Sequence, residues 1–198
     1  MKRPVLRRRP GEVVRPADIL PADPPARARV GLRVLAREDR AEFLQLARES
    51  HRLHRPWTYP PERADQFDEL YSRSRREDFL CLLAYRLDTG AITGVFTISQ
   101  IVRGAFQSAY LGYYAHEAHA RQGFMREAID QVLDHSFSAL GLHRIEANIQ
   151  PGNAPSIALA RGAGFRLEGF SPRYLLIGGQ WRDHERYAIT ADEPADES

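Results

Sequence analysis

The chain has 198 residues, 43% hydrophobic and 27% charged, with a formal net charge of +2. That length and balance suit one globular domain with a full core, and so small a charge does not imply nucleic-acid binding. The single cysteine, Cys81, excludes a disulfide framework within the chain and fits a reducing cytoplasm. It lies in the apolar run Phe79-Leu80-Cys81-Leu82-Leu83, a core context rather than a nucleophile's. No apolar run approaches the ~20 residues of a membrane helix, and no apolar region of signal-peptide type follows the basic start.

Residues 1–29 are rich in Arg and Pro, which predicts an extended arm outside the core. It reads either as an electrostatic arm touching RNA or an acidic partner, or as a solvated leader. Val30 to Leu35 alternates as a strand. A helix follows, with Asp39 as its cap and Phe43, Leu44, Leu46 and Ala47 as its apolar face. The stretch His51 to Pro61 breaks it. There Trp57 and Tyr59 either wall a substrate groove or plug the end of the core. Residues 62–77 form a polar helix with Phe67, Leu70 and Tyr71 inward. Phe79–Leu87, Ile92–Ile101 and Gln107–Tyr114 then read as an antiparallel meander.

Tyr110 to Leu140 organises the chain. Tyr110, Leu111, Tyr113 and Tyr114 close a strand, and residues 116–123 form a short loop. Phe124, Met125, Ala128, Ile129, Val132, Leu133, Phe137 and Leu140 fall at helical spacing. A strand, a loop and a helix N-terminus can hold an anion on unpaired N–H groups. Arg121 and Arg126 add formal positive charge there. Many such junctions hold no ligand, so the pattern alone leaves both readings open. His143–Gln150 is the next strand, parallel to its predecessor by the right-handed crossover rule. A helix starts near Asn153 or Ala154, with Pro155 early and Gly162 and Gly164 ending it. Phe165–Gly169 begins another strand, and 174–177 with 180–189 make a closing hairpin. The tail, 191–198, is acidic. The histidines at 116, 119, 135 and 143 repeat no ligand spacing, so no metal is expected.

The loop resembles the pyrophosphate loop of the GNAT N-acetyltransferases, Q/R-x-x-G-x-G/A, here Ala120-Arg121-Gln122-Gly123-Phe124-Met125. Gly123 matches, while Ala120 and Met125 depart. The words Ile101-Val102-Arg103-Gly104-Ala105-Phe106, Leu142-His143-Arg144-Ile145-Glu146-Ala147, Gly164-Phe165, Tyr174-Leu175-Leu176-Ile177 and Gly179-Gln180-Trp181-Arg182-Asp183-His184 are similar to the ribosomal-protein alanine N-acetyltransferases. The likeness is greatest to the group acting on ribosomal protein S5 and spans about residues 30 to 190.

The resemblance implies an α/β (α+β) chain with the GNAT acyl-CoA N-acyltransferase fold, a mixed central sheet of about seven strands flanked by helices. The domain is expected at 30–190, after the arm 1–29 and before the tail 191–198. It implies acetyl-CoA as cosubstrate and a cytoplasmic enzyme. The acceptor would be a protein N-terminal alanine or serine, with a small amine or antibiotic as the alternative. Binding of CoA without turnover, a ribosome contact and a homodimer stay open. The pantetheine would lie in a V between Gln107–Tyr114 and His143–Gln150. Backbone at Tyr113, Tyr114 and Ala115 would pair with it, and Arg121, Gln122, Gly123, Phe124, Met125 and Arg126 would hold the diphosphate. Asn153 would bond the pantetheine or its own turn. Ser156 would be the acid for the leaving thiolate or a helix cap. The family's catalytic Glu falls at Asn148 here, which cannot serve as a base but can orient a water. Glu146 shares that strand face and is the nearest carboxylate, read either as base or as one half of an ion pair. A relative's acid tyrosine falls at Ala160.

Overall fold

The computed structural model describes residues 15–191, so residues 1–14 of the expected arm and 192–198 of the tail lie outside them. The described half of the arm is not the extended segment expected, because Pro16–Asp18 forms a 3-10 turn, Ala17 is buried in the core and Ile19 packs against it. The strands are β1 Val30–Val34, β2 Phe79–Arg86, β3 Ile92–Val102, β4 Ser108–Ala115, β5 Arg144–Ile149, β6 Arg166–Ile177 and β7 Gln180–Thr190. The helices are α1 Arg40–Glu49, α2 His51–His54, α3 Ala64–Arg73, α4 Phe124–Asp134 and α5 Ala154–Gly162. The strands form one mixed sheet in the order β1-β2-β3-β4-β5-β7-β6. β2 to β4 are the expected antiparallel meander, β1 adds antiparallel to β2, β4 and β5 run parallel, and the rest is antiparallel.

The sheet has an apolar layer on each side. On one, α4 and α5 pack over Leu80, Leu82, Phe96, Ile98 and Ile145. On the other, α1 and α3 cover Cys81, Leu83, Ile92 and Val95, with Phe43 and Phe67 edge-to-face at 5.3 Å. Each large apolar side chain fully buried there contributes about 1.5–3 kcal/mol. Cys81 is completely buried, and desolvation pushes its thiol up to about 12. It is a core residue.

Some local expectations shift. Asp39 does not cap α1. It sits in a 3-10 turn at Arg37–Asp39, where its carboxylate accepts from Ala36 N–H at 2.8 Å and Arg33 Nη1 at 2.5 Å. The helix expected to run to Leu140 changes to a π turn at His135–Ala139. There the Ser136 and Ser138 hydroxyls donate to the carbonyls four residues back, 2.7 and 2.5 Å away, and loosen the ladder. The segments expected at 165–169 and 174–177 are one strand, β6, irregular between Ser171 and Leu175. Arg173 takes a positive φ of 46° there, and its N–H donates to Asp183 Oδ1 at 2.7 Å. Because β6 is an edge strand, Pro172 removes no needed donor.

Candidate active site

β4 and β5 touch along only three residue pairs, Ser108↔Arg144, Ala109↔Ile145 and Tyr110↔Glu146. Beyond Tyr110, β4 stays with β3 as far as Ala115, while β5 stays with β7 as far as Ile149. The two strands therefore open into a wedge. Tyr113 spans it: its hydroxyl donates to the Ser156 carbonyl in the first turn of α5 at 2.8 Å. The wedge widens into a cavity of about 570 Å³ lined by β4, β5, the starts of α4 and α5, and residues 53–58. That is the size of a small-molecule site.

The main chain of β4 alternates. His116 N–H donates to Thr93 on the β3 side at 3.0 Å, and Gln107 C=O accepts from His143 and Arg144 on the β5 side. By that parity Leu111, Tyr113 and Ala115 present their N–H and C=O groups to the wedge. Tyr114 was expected to offer backbone there. Its main chain instead pairs with β3 opposite Val95, and only its ring reaches the cavity. The Ala115 carbonyl is taken by His54 Nε2–H at 2.8 Å. The last β4–β5 pair, Tyr110↔Glu146, takes the Leu111 N–H, so the Leu111 C=O, the Tyr113 N–H and C=O and the Ala115 N–H remain for an extended ligand that adds as a strand.

At the wide end the chain turns into α4 through Arg121 (φ 59°) and Gly123 (φ 85°). Such left-handed residues gather successive N–H groups into an anion-holding concavity. The first N–H bonded inside α4 is that of Arg126, to Gly123 C=O at 3.1 Å. The amides of Phe124 and Met125 precede it and point out of the helix at its positive end. Gly123 also meets a steric limit, because a Cβ there would lie 3.0 Å from Arg29 Nη2.

The Arg29 guanidinium lies 4.8 Å from the Phe124 ring centre, and that of Arg86 lies 5.4 Å away. Arg29 Nε donates to Glu127 at 2.6 Å, which holds that carboxyl below its usual range. Arg126 lines the cavity and pairs with Asp130 at 3.1 Å. Arginines crowding a helix N-terminus oppose the dipole unless an anion joins them. A second groove, of about 600 Å³, lies between residues 20–28 and α4. Asp23, Glu127, Asp130 and Asp134 line it, so it would repel a phosphate.

Of the residues singled out from sequence, Tyr113, Tyr114, Ala115, Arg121, Gly123, Phe124, Met125, Arg126, Asn148, Asn153 and Ser156 line the cavity. Gln122 does not; its amide turns back to Ala118 C=O at 2.9 Å. The Asn153 side chain accepts from Ser156 N–H at 3.4 Å. Asn153 is thus the cap of α5, and Ser156 is not. Asn148 Oδ1 is buried and has no protein partner. Glu146 stays outside the lining, paired with Arg144 at 2.9 Å in a cluster that includes Glu168.

The opposite wall comes from residues remote in sequence. Trp57 lines the cavity, and its carbonyl accepts from Gln150 Nε2 at 3.1 Å. Its ring lies 3.0 Å from where a Cβ on Gly152 would be. Tyr59 instead packs over Gly178 in the β6–β7 turn. Leu53, Thr58, Leu175, Ile177 and His184 complete this wall, and no Asp or Glu lines the cavity among the described residues. Sequence reasoning missed Arg29, His54 and His184, because only tertiary contacts bring residues 29, 54, 120 and 184 together. Among the described residues no group of three or more His, Cys, Asp and Glu could hold a metal.

A parallel pair of strands that splays over a helix-start anion site defines an acyl-CoA-type transferase cleft. Residues 29–166 match the family model described as "Acetyltransferase (GNAT) domain", and the chain belongs to the GNAT acetyltransferase family. It is 40% identical to the [Ribosomal protein uS5]-alanine N-acetyltransferase of Escherichia coli over 106 residues, 54% of this chain and 55% of that enzyme. It therefore spans about half the length of that relative. The structure of Mycobacterium smegmatis RimJ in complex with CoA-disulfide superposes with a TM-score of 0.75 at 32% identity, covering 82% of each chain. A more distant relative, the spermidine N(1)-acetyltransferase of Vibrio cholerae, is 26% identical over 80% of this chain and 91% of that enzyme.

Proposed function

We propose that the protein transfers acetyl from acetyl-CoA to a primary amine, most favourably the N-terminal alanine or serine of a protein. The observation that carries this reading is the three-pair wedge, which opens onto the bare amides of Phe124 and Met125. Main-chain groups of Leu111, Tyr113 and Ala115 bind the pantetheine. The α4 amides with Arg121, Arg126 and Arg29 take the diphosphate. The amine attacks the thioester directly in a ternary complex. A β4 N–H stabilises the oxyanion, and the Ser156 hydroxyl protonates the leaving thiolate, aided by the start of α5.

The lining of the acceptor wall supports one of the relatives' acceptors over the other. A polyamine carries several positive charges at neutral pH and needs carboxylates around it. This cavity has none in its described lining and instead offers Trp57, Leu175 and Ile177. That wall suits an amine on an uncharged small residue. The test is thiol release from acetyl-CoA with a peptide beginning with alanine, compared with spermidine, and mass spectrometry of the product. Faster release with spermidine would reverse the choice. The absence of release with any amine, despite CoA binding, would leave a CoA-binding protein.

A further inference from the structure

The transfer needs a group to take the proton of the attacking amine, and neither carboxylate expectation supplies one. Glu146 is ion-paired outside the cavity, and position 148 carries an amide. We propose that His184 is the general base, its Nε2 accepting that proton directly or through a water held by Asn148 Oδ1. This rests on the acetyl-transfer reading above.

The geometry comes from the pairing of β5 with β7. Asn148 lies opposite Arg186 and Ile149 opposite Glu185. With a period of two, His184 and Asn148 share one sheet face. Ile145, Ala147 and Ile149 face the α4/α5 layer, so Asn148 and His184 face the side where Trp57 and Thr58 stand. Both line the cavity. Ser156 belongs to α5, on the opposite layer. The base and the thiol's acid thus stand on opposite sides of the plane in which the thioester would lie.

His184 is held in one tautomer. Its Nδ1 lies 3.0 Å from the Arg182 carbonyl, which can only accept, so Nδ1 carries the hydrogen. Nε2 is left as the acceptor, with no protein partner among the described residues. The ring is 3% exposed and edge-on to Tyr174 at 6.1 Å. Burial lowers its pKa, opposed by the Arg182 bond and the Asp183 charge, so it is neutral at pH 7. The charged groups near it are Arg182 and Arg186, which share its strand face, the first with its Nε buried and the second lying over Gly169, and Asp183, which already accepts from Arg173. Ser171 faces it from β6, and Glu146, further along the same face, is tied to Arg144.

The proton balance is complete. The amine nitrogen bonds to the acetyl carbon while Nε2 takes one N–H proton. The C–S bond then breaks, the thiolate takes the Ser156 proton, and solvent restores both groups.

Nitrogen-15 NMR of the wild type needs no acceptor. It should show His184 as the neutral Nδ1–H tautomer at pH 7, titrating below the usual ~6.5. A charged ring at pH 7, or the Nε2–H tautomer, overturns the proposal. His184→Ala and His184→Gln should each lower kcat ~100-fold or more, with acetyl-CoA affinity changed less than about twofold. Added imidazole should restore part of the Ala variant's rate, and in both variants the acidic limb of kcat/KM should lose the enzyme group titrating below ~6.5 and keep only that of the acceptor amine. Calorimetry with acetyl-CoA confirms that each variant is folded, and the Gln variant keeps the side chain's bulk if the Ala variant is not. Undiminished kcat with an unchanged pH profile overturns the role. If the wild type itself binds no acetyl-CoA, it is the acetyl-transfer reading that falls.

Discussion

The two sides of the cleft are built by different means. On the reading proposed above, the donor side is main chain plus arginine: β4 backbone, the first amides of α4, and Arg29, Arg121 and Arg126. The main-chain groups among them do not titrate. The acceptor side is side chain and buried imidazole: Trp57 and Leu175 on the wall, with His54, His116 and His184 on or behind it. His54 joins the halves by donating from α2 to Ala115 at the end of β4. The main-chain part of the donor side is therefore indifferent to acid, whereas the acceptor side depends on buried imidazoles staying neutral; at the donor end His119, edge-on to Phe124 at 6.0 Å, is the acid-sensitive group.

Acid is the strongest test of that contrast. His116 is fully buried, and desolvation, with the His54 charge adding to it, drives its pKa from 6.5 to about 3. His54 is lowered for the same first cause. Below pH 6.5 the unfolded chain binds more protons than the native one, so stability falls as pH drops from about 6.5 toward 3. At about 1.4 kcal/mol per unit of pKa difference the loss reaches a few kcal/mol by pH 4. Thermal melts across pH 7 to 4 should show it, and His116→Phe should flatten the slope. Turnover should fail at higher pH than CoA binding does. A parallel loss of both would break the comparison.

Ser156→Ala should lower kcat by ~100-fold with little change in acetyl-CoA affinity, since a leaving-group acid acts only in the transition state. An equal kcat would remove Ser156 from the chemistry. On the donor side, Arg29→Ala, Arg121→Ala and Arg126→Ala should each weaken CoA binding by about tenfold, less at high salt, as expected of partly exposed charges. Calorimetry at two ionic strengths measures this. Arg29 sharpens the contrast most, because position 120, where the loop motif has Gln or Arg, carries Ala. If Arg29→Ala leaves affinity unchanged, Arg29 is not a diphosphate contact, and the amides with Arg121 and Arg126 carry that role without it.

The same contrast explains what was legible in the sequence. The donor side was read from one contiguous stretch, because a strand, a glycine turn and an amphipathic helix are local patterns. Gly123 and its flanking residues could be placed without any tertiary contact. Even there, parity within β4 assigned Tyr114 to β3, a result that needs the register with Val95. The acceptor side is assembled from residues near 54, 148, 175 and 184, and no spacing rule links them. Asn148 and Glu146 shared a strand face as the period of two requires. Which of them met the cavity depended on Arg144 and Glu168, the latter arriving from β6. The scatter of histidines had a different origin, since His116 and His135 are buried in separate places, the first against the rings of His54 and Tyr114 and the second in the π turn after α4.

The smallest predicted effect bears on how the two sides are coupled. Tyr113→Phe removes the hydroxyl that crosses the wedge to Ser156 C=O and keeps the ring against Phe96. The carbonyl retains its place in the α5 ladder, so the cost falls near the ordinary ~1 kcal/mol of one hydrogen bond, a melting shift of about 2–4 °C. The Tyr113 phenol is held protonated by burial, so this strut does not switch with pH. If it only supports the fold, kcat should change less than about fivefold, and the effects of Tyr113→Phe and Ser156→Ala should add. If it also fixes where the Ser156 hydroxyl stands over the thiol, the double variant should lose much less kcat than the sum of the single effects. Tyr113 would then be a positioning residue, and the bond across the wedge would belong to the transferase step as well as to the scaffold.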